Sequence, residues 1–315
     1  MIEGYLADGE RKLQEQGFPS RHVAVAGNSQ KITRSYIDSL LIEMRVLDGV
    51  NASTRMKVFG EAFPTPIMTA ALSGMDKVRP SGMVEIAHGA AVSGAVMWCG
   101  IGDDSELEAV TRTGARTVKI IKPYADTDLV LEKIASAKKL GAMAIGMDVD
   151  FFLGPKRNRG YAMTHPVRRY TIDEIAGLIA GTKLPFVLKG ILSVRDATLA
   201  LEAGAAGIVV SHHGGSVFDY SVPPLMVLPK IADAIGGRIP IFADCCIGSG
   251  ADAFKALALG ATAVSVGRAV MAGLVADGAP GVSKVIDGIT EELRDIMNLT
   301  ASPDIRSIDR DVLWR

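Results

Sequence analysis

Two histidines follow directly on a short apolar run in the second half of the chain. The stretch 207–221 reads GIVVSHHGGSVFDYS and places His212 and His213 before two glycines. A histidine exchanges protons near neutral pH, and a carboxylate on one ring nitrogen makes the other nitrogen a better proton acceptor. The alternative interpretation is a polar loop without chemistry, so the rest of the chain has to decide between the two.

Asp150 and Lys189 are the charged residues that could complete a catalytic trio with His213. Both lie at the ends of apolar runs, in MAIGMDVD and PFVLKG respectively. The carboxylate of Asp150 can orient the histidine, and the ammonium of Lys189 can stabilise negative charge that develops on a cofactor or substrate. Structural roles such as packing or capping are expected for the other histidines, which are His22, His88, His165 and His212.

The elements that must position these side chains are short apolar runs separated by amphipathic stretches. Eight runs of strand length lie at 66–70, 94–98, 117–121, 143–149, 185–190, 207–211, 240–244 and 262–267. Continuous apolar runs are typical of parallel strands that are buried on both faces. The stretches between them have helical periodicity, and several end in glycine. Eight such units predict an α/β fold of the (β/α)8 TIM-barrel type, with a doubly wound open sheet as the alternative.

The first part of the chain has no such alternation. We expect residues 1–60 to form a helical extension packed on the barrel and residues 61–315 to form the barrel, with one domain overall. The clearest helical pattern in the extension is ITRSYIDSLLIEMRVL, residues 32–47. Active sites of TIM barrels lie at the carboxyl ends of the strands, which is where the catalytic trio is predicted to be.

Composition excludes several classes of function. The 315 residues carry a formal net charge of −1 and no basic stripe, which argues against nucleic-acid binding. No apolar run is long enough to span a membrane, and the first residues lack a signal-peptide pattern. The three cysteines, Cys99, Cys245 and Cys246, form neither a disulfide framework nor a CxxC metal motif, so no metal site and a reducing, cytoplasmic location are expected.

The loops after the seventh and eighth predicted strands have the features of a phosphate site. In CCIGSGADAFKAL, the amides of residues 248–250 and the following helix N-terminus can face an anion. Arg268, directly after Gly267, can form a bidentate contact with a phosphate. TIM barrels often bind a phosphate in these two loops, so we expect a phosphate-bearing ligand.

Several sequence blocks together resemble one known family. LPFVLKGI, SHHGGSVFD and IFADCCIGSGADAFKALALGATAVSVGRA are similar to characteristic blocks of the FMN-dependent α-hydroxy acid oxidases and dehydrogenases, which include glycolate oxidase and lactate oxidase. MRVLDGVNASTRMKVFGEAFPTPIM and MDVDFFLG resemble earlier blocks, so the similarity runs from about residue 35 to about residue 300. The resemblance implies an FMN-binding barrel that oxidises a 2-hydroxy acid or a related carbinol.

The resemblance also implies roles for individual residues. His213 matches the active-site base, Asp150 its carboxylate partner and Lys189 the cation beside the flavin, with the electron pair passing to flavin N5. Lys119 and Asp148 stand where the family usually has glutamine and threonine. The implied cofactor-binding set is Thr69, Ala70, Lys119, Asp148, Lys189, Ser211, Asp244, Cys246, Gly248, Gly267 and Arg268.

The chain departs from the family pattern where a substrate carboxylate and the phosphate are held. Ser216 replaces an arginine, which removes a charge-assisted contact worth about 1.5–3 kcal/mol. Gly248 stands where the phosphate motif has an arginine. Tyr124 could substitute for a tyrosine missing at Ile121, and Lys156 or Arg157 for a second arginine. With Tyr124, Lys156 and Ser216 as the substrate-binding set, we expect a substrate larger or less anionic than lactate or glycolate.

Three other functions stay open at this point. One is an FMN enzyme without net redox change, resembling the type 2 isopentenyl diphosphate isomerases; another is a phosphate-binding barrel without flavin. The third is a flavin-binding protein that has lost catalysis, although the surviving trio argues against it. The electron acceptor could be oxygen, a quinone or a carrier protein, and we expect a homo-oligomer without a membrane span.

Overall fold

The computed structural model describes residues 2–18, 27–47, 49–153 and 165–315, with side chains described from Tyr5 onward. The chain begins with two helices, α1 (Ile2–Glu15) and α2 (Asn28–Ser39), followed by the short strand β1 (Leu41–Ile42). A hairpin of β2 (Met56–Val58) and β3 (Glu61–Phe63) leads into the barrel.

The helix predicted over 32–47 ends earlier than the sequence pattern suggested. After Ser39 the backbone of Leu40 is extended, at φ −83° and ψ 116°. Leu41 and Ile42 then pair antiparallel with the last strand of the chain, β12 (Leu313–Trp314). A partner strand that satisfies the backbone hydrogen bonds therefore overrides the helical periodicity here.

The predicted barrel is confirmed, because all eight apolar runs contain a strand of one parallel sheet. The strands are β4 (Ile67–Thr69), β5 (Met97–Cys99), β6 (Thr117–Ile121), β7 (Ala144–Asp148), β8 (Phe186–Ile191), β9 (Gly207–Val210), β10 (Ile241–Ala243) and β11 (Ala263–Val266). Their order in the sheet is β4-β11-β10-β9-β8-β7-β6-β5. The sheet nearly closes between β4 and β5, where the Thr69 amide donates to the Val96 carbonyl at 3.2 Å. The open-sheet alternative is therefore wrong.

In the described part of the chain, an α-helix follows each barrel strand. These eight helices are α3 (Gly82–Val92), α4 (Asp104–Arg112), α5 (Thr127–Lys139), α6 (Ile172–Gly181), α7 (Val194–Glu202), α8 (Pro224–Ile235), α9 (Gly250–Ala258) and α10 (Arg268–Leu299). Of these, α4, α5, α6, α7 and α9 begin at a side-chain cap that the sequence supplies. Asp126, for example, accepts from two amides of the first turn of α5, and Thr171 forms a capping box with Glu174 on α6.

The barrel interior and the layer between sheet and helices form one apolar core. All residues of β6 and β7 are buried, and inside the sheet the Trp98 ring meets Phe242 edge-on at 5.3 Å. In the described part of the chain, α10 is long and apolar enough to cross a membrane, but 67% of its apolar window is buried in the fold. Its apolar residues are therefore explained by core packing.

Candidate active site

His213 and Asp150 meet beyond the carboxyl ends of β9 and β7, the two strands that flank β8. Nδ1 of His213 lies 3.2 Å from Oδ1 of Asp150. His213, Gly214 and Gly215 all have positive φ, at 53°, 63° and 69°, and the His213 amide donates to Ser211 Oγ. The glycines after the histidine pair thus allow a left-handed turn at the strand end, which directs the imidazole to the mouth of the barrel.

A glycine that the sequence analysis overlooked makes room for the Asp150 carboxylate. Gly190 has φ +96°, and a Cβ built on it would lie 2.3 Å from Cγ of Asp150. Oδ2 of Asp150 is buried without a hydrogen-bond partner among the described residues, so the carboxylate is directed chiefly to the histidine. The signal in the sequence was a glycine directly after Lys189, at the end of an apolar strand.

Asp148 lies at the centre of a second, buried cluster of charges. Its oxygens accept hydrogen bonds from Lys122, at 2.5 Å, and from Lys189, at 2.8 Å, while Nδ1 of His213 lies 3.7 Å away. Burial alone would raise the pKa of Asp148, but the two ammonium groups hold it well below its usual range. Burial likewise opposes the charge on Lys189, yet Asp148 and Asp244 raise its pKa. Both groups are therefore charged, and the lysine's charge is already balanced before any ligand binds.

The same carboxylates could in principle hold a metal ion with the histidine. Ligand atoms of Asp148, Asp150 and His213 all lie within 4.8 Å of one another. The two ammonium groups on Asp148 repel a divalent cation at this short range, so the arrangement favours proton chemistry over metal binding.

A cavity of about 560 Å³ extends from this cluster toward the loops after β10 and β11. Lys189 and His213 lie at one part of its lining, and Ser249, Gly267 and Arg268 lie at another. Its volume is in the range of small-molecule and cofactor sites. One part therefore offers groups for proton transfer, and the other offers a guanidinium for an anion.

Comparison with known proteins identifies the family. Residues 21–170 and 160–315 match the family described as FMN-dependent dehydrogenase. The chain belongs to that family. It is 31% identical to the L-lactate oxidase of Roseobacter sp. (strain GAI101), over 82% of this chain and 79% of that protein. It is 30% identical to the glycolate oxidase of Spinacia oleracea, over 88% of this chain and 85% of that protein. A solved structure of a mandelate oxidase variant with 2-hydroxy-phenylacetamide has a TM-score of 0.89 at 30% identity, covering 99% and 97% of the two chains.

The protein is therefore an FMN-dependent oxidoreductase of the α-hydroxy acid oxidase type. The cavity fits FMN, because a phosphate-bearing flavin needs a cation at one end and polar groups beside its ring at the other. The cofactor-binding residues predicted from sequence that line the cavity are Ala70, Lys189, Asp244, Cys246, Gly248, Gly267 and Arg268. A phosphate-binding barrel without flavin is no longer needed as an alternative.

The remaining members of the predicted cofactor-binding set form hydrogen bonds to neighbouring groups and do not line this cavity. They are Thr69, Lys119, Asp148 and Ser211. Thr69 Oγ1 accepts from the Trp98 amide at 2.8 Å. Lys119 Nζ donates to the carbonyls of Gly100, at 2.7 Å, and Gly102, at 3.2 Å. Ser211 Oγ, as noted above, accepts from an amide of the histidine turn.

The loop after β10 has a left-handed backbone at two residues that are not glycine. Cys245 and Cys246 have φ of 74° and 63°, in the left-handed region that favours glycine. A side chain in this region costs of order 1–3 kcal/mol. Cys245 Sγ contacts Asp244 Oδ1 at 2.8 Å and accepts from the Gly214 amide at 3.3 Å. Burial raises the pKa of both thiols, which makes them packing groups and not thiolates.

The prediction that the amides of residues 248–250 face an anion is wrong for two of them. The Gly248 amide donates to Asp252 Oδ2 at 3.0 Å. The Gly250 amide donates to Glu292 Oε2 at 2.7 Å. Carboxylates of α9 and α10 occupy these donors because an uncompensated helix N-terminus attracts negative charge. The sequence pattern could not show this, since Glu292 is far away along the chain.

Two of the predicted substrate-binding residues, Ser216 and Tyr124, are described by the structure, and neither lines the cavity. Ser216 Oγ donates to the His213 carbonyl at 2.6 Å, so it lies beside the base but is engaged in the turn. The Tyr124 ring packs edge-on against His165 at 5.7 Å, and its carbonyl accepts from the Tyr170 hydroxyl. Lys156, like Arg157, lies outside the described residues.

His212 has the structural role expected of it. Its Nδ1 accepts from the Gly215 amide at 3.0 Å, and its Nε2 lies 2.8 Å from Thr33 Oγ1 on α2. The side chain thus caps the turn of its neighbour His213 and ties it to the N-terminal helix.

Proposed function

We propose that the protein oxidises the carbinol carbon of a 2-hydroxy acid derivative, with His213 as the base. The observation that carries this proposal is the contact of His213 Nδ1 with Asp150 at the mouth of an FMN-family barrel. This contact orients the imidazole and leaves Nε2 as the proton acceptor. Bound FMN supplies an acceptor for the two electrons that leave as the carbinol becomes a carbonyl.

The surrounding charges prepare His213 for this step. When the imidazole takes the substrate proton, Asp150 at 3.2 Å and Asp148 at 3.7 Å from Nδ1 stabilise the new positive charge. Phe151 packs its ring 5.3 Å from the imidazole and is buried, which limits water on that side. The family match favours oxidation over the non-redox alternative.

The substrate we propose is less anionic, or larger, than lactate and glycolate. Ser216 stands where the family has a carboxylate-binding arginine, and its hydroxyl is engaged by the turn. The two ammonium groups buried near His213, on Lys122 and Lys189, both pair with Asp148. A substrate carboxylate would have to compete with that buried aspartate for either lysine, which costs part of the binding free energy.

One relative supports a neutral substrate of this kind. The mandelate oxidase structure reported above is an arginine-to-leucine variant with 2-hydroxy-phenylacetamide, an amide in place of a carboxylate. That structure makes a 2-hydroxy amide a suitable test substrate for this chain. The names of the curated relatives, L-lactate oxidase and glycolate oxidase, also support oxygen as the electron acceptor.

The experiment compares substrates that differ in this one group. Flavin bleaching without oxygen, and oxygen consumption in air, would be recorded with mandelate, 2-hydroxy-phenylacetamide, L-lactate and glycolate. We expect kcat/KM for the amide to equal or exceed that for mandelate. Rapid bleaching by micromolar lactate or glycolate would contradict the proposal.

The variant Ser216→Arg tests the same idea from the side of the protein. Ser216 has φ −78° and ψ −23°, which an arginine adopts without strain. A restored guanidinium should raise kcat/KM for mandelate relative to the amide by about tenfold to a hundredfold. Ser307→Arg, at an exposed serine near the C-terminus, should leave the ratio unchanged.

A further inference from the structure

Arg34 reaches the cofactor cavity from outside the barrel. It belongs to helix α2, and its side chain, only 26% exposed, lines the cavity together with Gly248 and Arg268. Nothing in the sequence motifs around it suggested a role at the site. An arginine that is drawn into a cavity and remains charged needs either a local partner or an anionic ligand.

The contacts of Arg34 direct its guanidinium to the loop after β10. One terminal nitrogen donates to the Cys246 carbonyl at 2.8 Å. Both terminal nitrogens donate hydrogen bonds to the Asp252 carboxylate, at 3.0 and 2.7 Å. Asp252 also accepts from the Gly248 amide. Asp252 thus contacts both the guanidinium of Arg34 and the amide of Gly248, the position at which the family has an arginine.

Arg34 and Arg268 flank the same residue of that loop. Arg34 contacts the carbonyl of Cys246, and a terminal nitrogen of Arg268 lies 3.8 Å from the Cys246 sulfur. Two guanidinium groups therefore converge beside one part of the cavity. This is the charge distribution that a phosphate, with nearly two negative charges, requires.

The remaining contact of Arg34 can be exchanged for a ligand. Its Nε donates to Asp38 at 2.9 Å, and one terminal nitrogen lies 2.8 Å from the same oxygen. Asp38 follows four residues later on the same helix, with 63% of its side chain exposed. An exposed ion pair of this kind contributes little to stability. The buried Asp252, 7% exposed, holds the guanidinium in place, while a phosphate can displace Asp38 from its outer edge.

We propose that Arg34 binds the phosphate of FMN and replaces the family arginine that is Gly248 in this chain. A helix outside the barrel then supplies the second cation of the phosphate end, and Asp252 orients it. The inference concerns the cofactor and is independent of the substrate proposed above, because its tests measure flavin binding and not turnover.

The decisive experiment compares two flavins that differ only in the phosphate. Protein stripped of flavin would be titrated with FMN and with riboflavin, and the dissociation constants read from flavin fluorescence. Arg34→Met should weaken FMN binding by about tenfold to a hundredfold and leave riboflavin binding within about twofold. Equal weakening of both flavins would show a purely structural role, and unchanged FMN binding would show none; either result overturns the proposal.

Two further variants provide tests that do not depend on the single variant Arg34→Met. Asp38→Asn removes the competing carboxylate from the exposed edge and should tighten FMN binding by about twofold to fivefold, again without effect on riboflavin. Unchanged or weaker FMN binding in this variant counts against the proposal. Adding Gly248→Arg to Arg34→Met should restore FMN binding, since position 248 lies beside the same carboxylate.

A control variant removes an arginine that also pairs with a carboxylate but lies elsewhere and is more exposed. Arg310 forms a bidentate pair with Asp233, at 3.4 and 2.9 Å, away from the cavity lining. Arg310→Met should leave both dissociation constants unchanged. Loss of FMN affinity in this control would assign the effect to net charge and remove the support for Arg34.

Discussion

The two ends of the cavity are built in different ways. At the end that holds His213, the functional groups follow the barrel strands β7, β8 and β9, and each charge has a partner of opposite sign. At the proposed phosphate end, Cys245 and Cys246 adopt a backbone that favours glycine, and Arg34 comes from a helix outside the barrel.

The difference follows from what each end has to do. Proton transfer requires donor and acceptor within hydrogen-bond distance, so the residues that surround His213 have few alternative positions. Attraction of a phosphate depends mainly on where positive charge is placed, and a guanidinium from another element can supply it equally well. Departures from the family motif at the phosphate end are therefore easier to compensate than departures near the base.

The largest expected effect separates the two ends directly. His213→Asn should lower turnover by about a hundredfold to ten-thousandfold, because it removes the proton acceptor, while the FMN content stays that of the parent protein. Steady-state kinetics and the flavin spectrum measure the two quantities. His88→Asn, at an exposed histidine, is the control and should change neither. Loss of flavin along with activity would mean that the two ends are not separate in function.

The second largest expected effect is on stability and concerns the buried ion pairs of Asp148. Asp148→Asn leaves the ammonium groups of Lys122 and Lys189 buried without their carboxylate, and should lower the free energy of unfolding by about 3–5 kcal/mol. Urea denaturation followed by far-UV circular dichroism measures it. Asp233→Asn, which breaks an exposed pair with Arg310, should change little.

The pH dependence of that effect has a definite sign. Because the pKa of Asp148 is lowered in the folded protein, its stabilising contribution is complete above the ordinary carboxyl pKa of about 3.9 and is lost only as the pH falls below it. The difference between parent and Asp148→Asn should therefore be constant from about pH 5 to about pH 8. A difference that vanishes within this range would show that Asp148 is not ionised throughout it.

The smallest effect tests the strain at the phosphate end. Cys246→Gly removes the Cβ from a left-handed backbone, whereas Cys246→Ala keeps it, and both remove the sulfur. We expect the glycine variant to be more stable than the alanine variant by about 1 kcal/mol in thermal unfolding. Equal stability of the two variants would show that the loop carries no such strain.

The sequence was sufficient to predict the strands and the strand ends at which polar residues lie. Buried parallel strands need continuous apolar runs, and a closed barrel brings all their carboxyl ends to one mouth. That rule alone placed Asp150, Lys189 and His213 together, and the structure shows Asp150 and His213 in contact. The helix over 32–47 was predicted too long, since periodicity does not reveal a partner strand at the opposite end of the chain.

What the sequence by itself determined was thus the barrel and the positions at which polar residues leave its strands. Only the tertiary structure decided which groups contact one another. Lys122 and Lys189 pair with Asp148, Glu292 accepts from the amide of Gly250, and Arg34 contacts the loop after β10. The physical reason is distance along the chain. A strand or helix is encoded by neighbouring residues, whereas Arg34 and Asp252 are 218 residues apart and interact only because the folded barrel brings them together.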